Sequence, residues 1–149
     1  SGASLVMTSH AIYRGLGGTR PATIDPAITG QLLRRELGDK VVVITDSLNA
    51  RGVRDATGLT TPQLCPAAIA AGVDMLLLTG SLETARLCRV RLLDQLSDDR
   101  SVIDRERLEE SVTRVLALKA RVGLVRNLRT GESLPAPDHR CCDPQRSPD

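Results

Sequence analysis

Lys40-Val41-Val42-Val43-Ile44-Thr45-Asp46-Ser47-Leu48-Asn49-Ala50 is the stretch that decides the fold. Val41 to Thr45 are all β-branched, and a carboxylate follows at once. β-Branched side chains are stiff at χ1 and suit a pleated strand better than a helix. The run follows Gly38-Asp39 and ends in an acid, which predicts a strand over residues 40–45 buried on both faces. In α/β proteins the C-terminal end of such a strand is the rim where ligands bind, so Asp46 is delivered to a site. Asp is also a favoured helix cap. Spacing alone leaves both roles open.

Upstream, residues 3–9 read as a short buried strand, with His10 just past its end. Gly15, Gly17, Gly18 and Pro21 make residues 11–24 a loop. Asp25-Pro26 is a helix start, with Asp as cap and Pro at the first helical position. Ile28, Leu32, Leu33 and Leu37 share one face of that helix, Arg34 and Arg35 read as a solvated face, and Gly38 ends it. Downstream, residues 48–55 fit a short helix or a loop. A second helix opens at Thr61-Pro62 or at Cys65-Pro66 and runs to Gly72. Val73 to Thr79 predict a third buried strand, with Asp74 at its N-terminal end and so in a structural role. Ser81 caps a third helix reaching Leu96. Asp104 caps a fourth, on which Leu108, Val112, Val115, Leu116 and Val122 recur at helical spacing before Gly123. Strands alternating with helices imply right-handed βαβ units and a parallel sheet.

The 149 residues suffice for one domain with a core, and 41% are hydrophobic. Tyr13 is the one Phe, Trp or Tyr in the sequence, so the core must be aliphatic, and the case for base stacking on aromatics is weak. A net charge of +2 with interspersed signs gives no basic footprint, so no nucleic-acid partner is expected. No apolar run approaches the ~18 residues of a membrane span. Ser1-Gly2-Ala3 begins no signal peptide, which leaves the compartment open. Cys65 and Cys88 sit singly in apolar segments and read as small core residues. Cys141-Cys142 and His139 lack metal-ligand spacing, so neither a metal nor a cofactor is expected. From Leu124 the composition turns to Pro, Asp, Arg and Ser, predicting a domain over residues 1–125 and a disordered tail over 126–149.

Five segments in order carry a family likeness. They are Val6-Met7-Thr8-Ser9-His10; Pro21-Ala22-Thr23 with Leu32-Leu33-Arg34-Arg35-Glu36-Leu37-Gly38; Val42-Val43-Ile44-Thr45-Asp46-Ser47-Leu48; Ala71-Gly72-Val73-Asp74-Met75-Leu76-Leu77; and Arg107-Leu108-Glu109-Glu110-Ser111-Val112-Thr113-Arg114-Val115-Leu116-Ala117-Leu118-Lys119. Together they resemble the catalytic domain of glycoside hydrolase family 3, in its bacterial β-N-acetylhexosaminidase branch. The resemblance implies a TIM-like (β/α)8 barrel, of which this chain would hold the last three βα units. It implies a retaining glycosidase with Asp46 as nucleophile and an N-acetylglucosaminide-type carbohydrate as substrate. Where the family often has a second Asp after the nucleophile, this chain has Ser47. Met7 and His10 fall at the end of the preceding strand, where they would touch the sugar. His10 would instead orient Asp46, or simply hydrogen-bond within the rim.

The family's Lys-His-Phe-Pro-Gly-His-Gly stretch, with the histidine acid/base that follows it, does not occur in this sequence. Retaining chemistry needs a second proton-transfer group about 5 Å from the nucleophile. Asp55 and His10 are the candidates that remain. The expectation is therefore a truncated glycosidase, inactive alone. The alternatives are a non-catalytic sugar-binding or assembly module and, less favoured, a doubly wound nucleotide-binding domain. Gly15-Leu16-Gly17-Gly18 lacks the helix that a phosphate cradle needs. A three-strand sheet leaves open edges, which predict self-association of the chain.

Overall fold

The computed structural model describes residues 2–98, 101, 103 and 105–125. The Asp104 cap, Cys141, Cys142, His139 and the tail 126–149 lie outside them.

The decisive stretch forms the central strand. β1 (Leu5–Met7) pairs in parallel with β2 (Val42–Ile44), in the register Leu5 with Val42, Val6 with Val43 and Met7 with Ile44. Residues of β2 bond alternately to its two sides. Val42 N–H donates to Ser4 C=O and Thr8 N–H donates to Ile44 C=O, on the β1 side. On the other side Val43 C=O accepts from Asp74 and Met75, and Thr45 N–H donates to Met75 C=O.

The third strand expected over 73–79 is reduced to a single bridge, Ile44 with Met75. Side chains take the places of backbone partners. Leu77 N–H donates to Thr45 Oγ1 at 2.9 Å, and Val43 N–H donates to the Asp74 carboxylate at 2.9 Å. The observed class is thus α/β with parallel strands.

The expected first helix is present but wider than an α-helix at its start. A π-helical segment, Pro26–Leu33, runs into one α-helical turn, α1 (Arg34–Leu37). Asp25 caps it, its carboxylate accepting from Ala27 N–H at 3.0 Å. Gly30 lets its backbone pack closely against Ala71, because a Cβ there would lie 2.9 Å from Ala71 C=O.

The doubtful stretch after Asp46 resolves into α2 (Arg51–Thr57). α3 (Thr61–Ala70) opens at the earlier of its two candidate starts, with Thr60 N–H donating to the Gln63 side chain at 2.9 Å. Ser81 caps α4 (Leu82–Leu96), its hydroxyl accepting from Thr84 N–H. α5 (Arg105–Arg121) closes the described fold.

Val43, Leu48, Val53, Leu64, Ala68 and Val73 are fully buried and form the aliphatic core between β2, α2 and α3. A leucine or valine so buried contributes about 1.5–3 kcal/mol. Cys65 and Cys88 lie in this core, as their apolar surroundings indicated, but they are a disulfide joining α3 to α4 and not two free thiols. Their helices pack face to face, which brings residues 23 apart in sequence together.

Arg34 is also corrected. Arg35 is solvated, with its side chain 72% exposed, whereas that of Arg34 is 12% exposed and paired with Asp74. Arg34 reaches the start of the third strand, where its guanidinium also donates to Gly72 C=O at 3.0 Å and to Val41 C=O at 2.6 Å. Asp74 has the structural role expected of it. Its buried carboxylate accepts from Arg34, from Ser111 Oγ at 3.0 Å, from Arg114 at 3.2 Å and from Arg107 at 3.3 Å. α5 is therefore held by charge. Val112 and Leu116 stay exposed, Leu108, Val115 and Leu118 are half-buried, and Ser111 is its buried residue among those described.

Candidate functional site

Asp46 emerges one residue past Thr45, between two backbone bonds to the third segment, Thr45 N–H to Met75 C=O and Leu48 N–H to Leu77 C=O. Its side chain caps no helix, because α2 begins after Ala50, which supplies no side-chain cap. One carboxylate oxygen, Oδ1, accepts from Ser47 N–H at 2.7 Å, and Oδ2 takes no hydrogen bond from the described residues. Asp46 is exposed. An exposed carboxylate with one oxygen fixed and the other bare can attack an electrophilic carbon.

Ser47 is held on every polar atom. Its hydroxyl lies 2.7 Å from Thr79 Oγ1, at the end of the third strand segment. Its carbonyl lies 2.9 Å from His10 Nε2. A carbonyl only accepts, so Nε2 donates. His10 Nδ1 lies 3.0 Å from Thr23 Oγ1. Two residues further on, Asn49 Oδ1 accepts from Thr79 N–H at 3.0 Å and Gly80 N–H at 3.1 Å. The ends of β1, β2 and the third strand segment are thereby tied into one rim.

Asp25 orders the loop that carries Thr23. Burial pushes its carboxyl up, but N–H donors from Thr19, Arg20 and Ala27 outweigh this and hold it below the usual carboxylate range.

Asp46 and His10, named from the sequence, are brought together through Ser47. Met7 is not brought to them. Its side chain is 52% exposed on the open edge of β1 and lines an apolar cleft of about 340 Å³ with Tyr13, Leu16 and Leu33. Asp55 lies on exposed α2, paired with Arg51 at 3.1 Å. Sequence reading missed Thr23, Asn49 and Thr79. They are polar residues with no periodic signal, and only a strand-end location marks Thr79. No group of three or more His, Cys, Asp or Glu side chains able to hold a metal occurs among the described residues.

A parallel α/β sheet presenting a carboxylate at the end of its central strand places it at the rim where α/β proteins bind ligands. Residues 1–118 match the glycosyl hydrolase family 3 N terminal domain, and the chain belongs to that family. It is 40% identical over 117 residues to a β-N-acetylglucosaminidase/β-glucosidase of Cellulomonas fimi, covering 78% of this chain and 19% of that protein. It is also similar to the solved family 3 β-N-acetylglucosaminidase of Paenibacillus sp., with 31% identity and a TM-score of 0.74, over 89% of this chain and 26% of that one. For the β-N-acetylhexosaminidase of Beutenbergia cavernae the values are 28% identity and a TM-score of 0.65, over 79% of this chain and 34% of that one. The chain thus spans about a fifth to a third of these relatives' lengths.

Proposed function

We propose that this chain carries the nucleophile half of a retaining β-N-acetylhexosaminidase-type site, with Asp46 as nucleophile. The observation that carries the reading is the bare Oδ2 of a carboxylate fixed through Oδ1 at the end of the central strand. In the first step Oδ2 attacks the anomeric carbon, and the carbon–oxygen bond to the leaving group breaks with its electron pair going to the leaving oxygen. Water then releases the sugar from the glycosyl ester. The three parallel segments are read as consecutive staves of a (β/α)8 barrel.

No second carboxylate or imidazole stands ready as acid/base among the described residues, so the chain alone is expected to hydrolyse ordinary aryl N-acetyl-β-glucosaminides negligibly. A dinitrophenyl leaving group needs no proton and bypasses that requirement. Incubation of the chain with dinitrophenyl N-acetyl-β-glucosaminide, followed by peptide mass spectrometry, is expected to find the sugar on Asp46. Asp46→Asn is expected to take none. Labelling elsewhere, or none at all, refutes the reading.

One observation supports a second role, that of an assembly module. β1 has a single strand neighbour among the described residues, and Leu5 and Met7 stand exposed on its open edge. In a parallel ladder the N–H and C=O groups of alternate residues point to the same side, so that edge carries unpaired backbone groups. Light scattering is expected to find a dimer or larger species, and a monodisperse monomer refutes this reading.

A further inference from the structure

We infer that His10 is the positioning residue for Asp46 and acts on it through Ser47. The inference deepens the proposed function and takes Asp46's chemical role from it. Three groups of Ser47 are held: its N–H by Asp46 Oδ1, its hydroxyl by Thr79, and its carbonyl by His10 Nε2 together with Ala50 N–H, each at 2.9 Å. Fixing the carbonyl fixes the torsion of the residue whose N–H aims the carboxylate. Removing His10 leaves that carbonyl on Ala50 N–H alone, which loosens the torsion while leaving β2 intact.

The tautomer follows from the neighbours. Ser47 C=O demands a proton on Nε2 whether the ring is neutral or cationic. Thr23 Oγ1 has one proton and three neighbours, namely His10 Nδ1 at 3.0 Å, Thr8 Oγ1 at 3.0 Å and Ser9 C=O at 3.1 Å. With a neutral ring, Thr23 donates to Nδ1 and accepts from Thr8. With a cationic ring, Nδ1 donates to Thr23, whose proton turns to Ser9 C=O. Neither arrangement moves a heavy atom, and in both Nε2 remains the donor to Ser47. Both ring nitrogens are thus engaged by the protein, so the ring acts on the nucleophile's geometry and not on the sugar.

The experiment is NMR on the full chain, labelled with 15N, and requires no turnover. The unmodified chain is expected to show the Nε2–H tautomer of His10. Its Ser47 amide is expected to exchange slowly with solvent and to shift as the Asp46 carboxyl titrates. In His10→Ala the Ser47 amide is expected to exchange about fivefold faster, the scale of one net hydrogen bond, and to lose most of that shift. His10→Gln, whose amide N–H can still reach the carbonyl, is expected to restore part of both. An Nδ1–H tautomer, or a Ser47 amide unaffected in His10→Ala, overturns the inference. A general loss of packing would speed exchange across β2 as well, so Thr45 N–H is the internal control. Failure of the glycosyl label at Asp46 leaves these readouts untouched, so the two ideas fail separately.

Discussion

Replacing Asp74 by Asn changes one buried atom and should unfold much of the molecule's reserve of stability. Asp74 Oδ2 accepts from Val43 N–H and Arg34, and Oδ1 accepts from Ser111, Arg107 and Arg114. An asparagine keeps one acceptor oxygen and turns an NH₂ group toward donors at the other. At least two donors then face a donor, and the three guanidinium groups lose their buried counter-charge. Removing one partner of a buried ion pair typically costs about 3–5 kcal/mol. At roughly 4 °C per kcal/mol for a domain of this size, Asp74→Asn should lower Tm by about 10–20 °C. The assay is thermal unfolding followed by far-UV circular dichroism at neutral pH. Arg35→Gln, on an exposed pair with Glu36, is the control and should change stability by less than about 1 kcal/mol. The same logic fixes a pH dependence. Burial pushes the Asp74 carboxyl up, but Val43 N–H and Arg34 more than offset this, leaving it below its ordinary value of 3.8. The folded state therefore binds this proton less readily than the unfolded chain. The stabilisation is complete above the ordinary carboxylate range and disappears as pH falls below it toward the folded value. Asp74→Asn should lose that acid-side slope. An Asp74→Asn protein within about 1 kcal/mol of the parent at pH 7 would refute the assignment of α5 docking to this cluster.

The remaining predictions concern the backbone and the disulfide. Cys65→Ser, or reduction of the parent, opens a loop with a sequence separation of 23 and should cost about 3 kcal/mol in a denaturant titration; equal midpoints with and without reductant would exclude the bridge. Gly72 has φ +111° and a Cβ there would lie 2.7 Å from Gly30 Cα, so Gly72→Ala should destabilise by about 2–3 kcal/mol. Gly52 in α2 has open space around it, so Gly52→Ala should stabilise by about 0.5–1 kcal/mol. The opposite signs of the two glycine variants are read in the same chemical denaturation experiment.

Features that depend on local chemistry were legible in the sequence. The β-branched run gave β2, Asp25 and Ser81 gave two helix starts, and the acid after the run gave Asp46. Features decided by distant partners were not. The third strand was over-read because Thr45 Oγ1 and the Asp74 carboxylate replace ladder partners, a substitution that apolar patterning does not encode. The π-helical opening of the first helix keeps the same apolar residues and changes only their angular spacing. Arg34 and Arg35 are neighbours in sequence with opposite fates, set by a carboxylate 40 residues away. The Cys65–Cys88 pairing required knowing that α3 and α4 lie face to face. At the site, Thr23 in a 3-10 turn and Asn49 and Thr79 outside regular elements are polar residues whose roles exist only once three strand ends converge.

That convergence of arginines on Asp74 also bears on the order of assembly. Arg34 is 40 residues before it, and Arg107 and Arg114 are 33 and 40 residues after it. Two loops must close in opposite directions before the carboxylate has its full set of partners, and a charge with only some of them is still poorly compensated. α5, whose Val112 and Leu116 are exposed and whose Leu108, Val115 and Leu118 are only half-buried, draws much of its hold from that cluster. It is therefore expected to dock after the transition state, so that Arg114→Met speeds unfolding and leaves the folding rate nearly unchanged in a stopped-flow chevron.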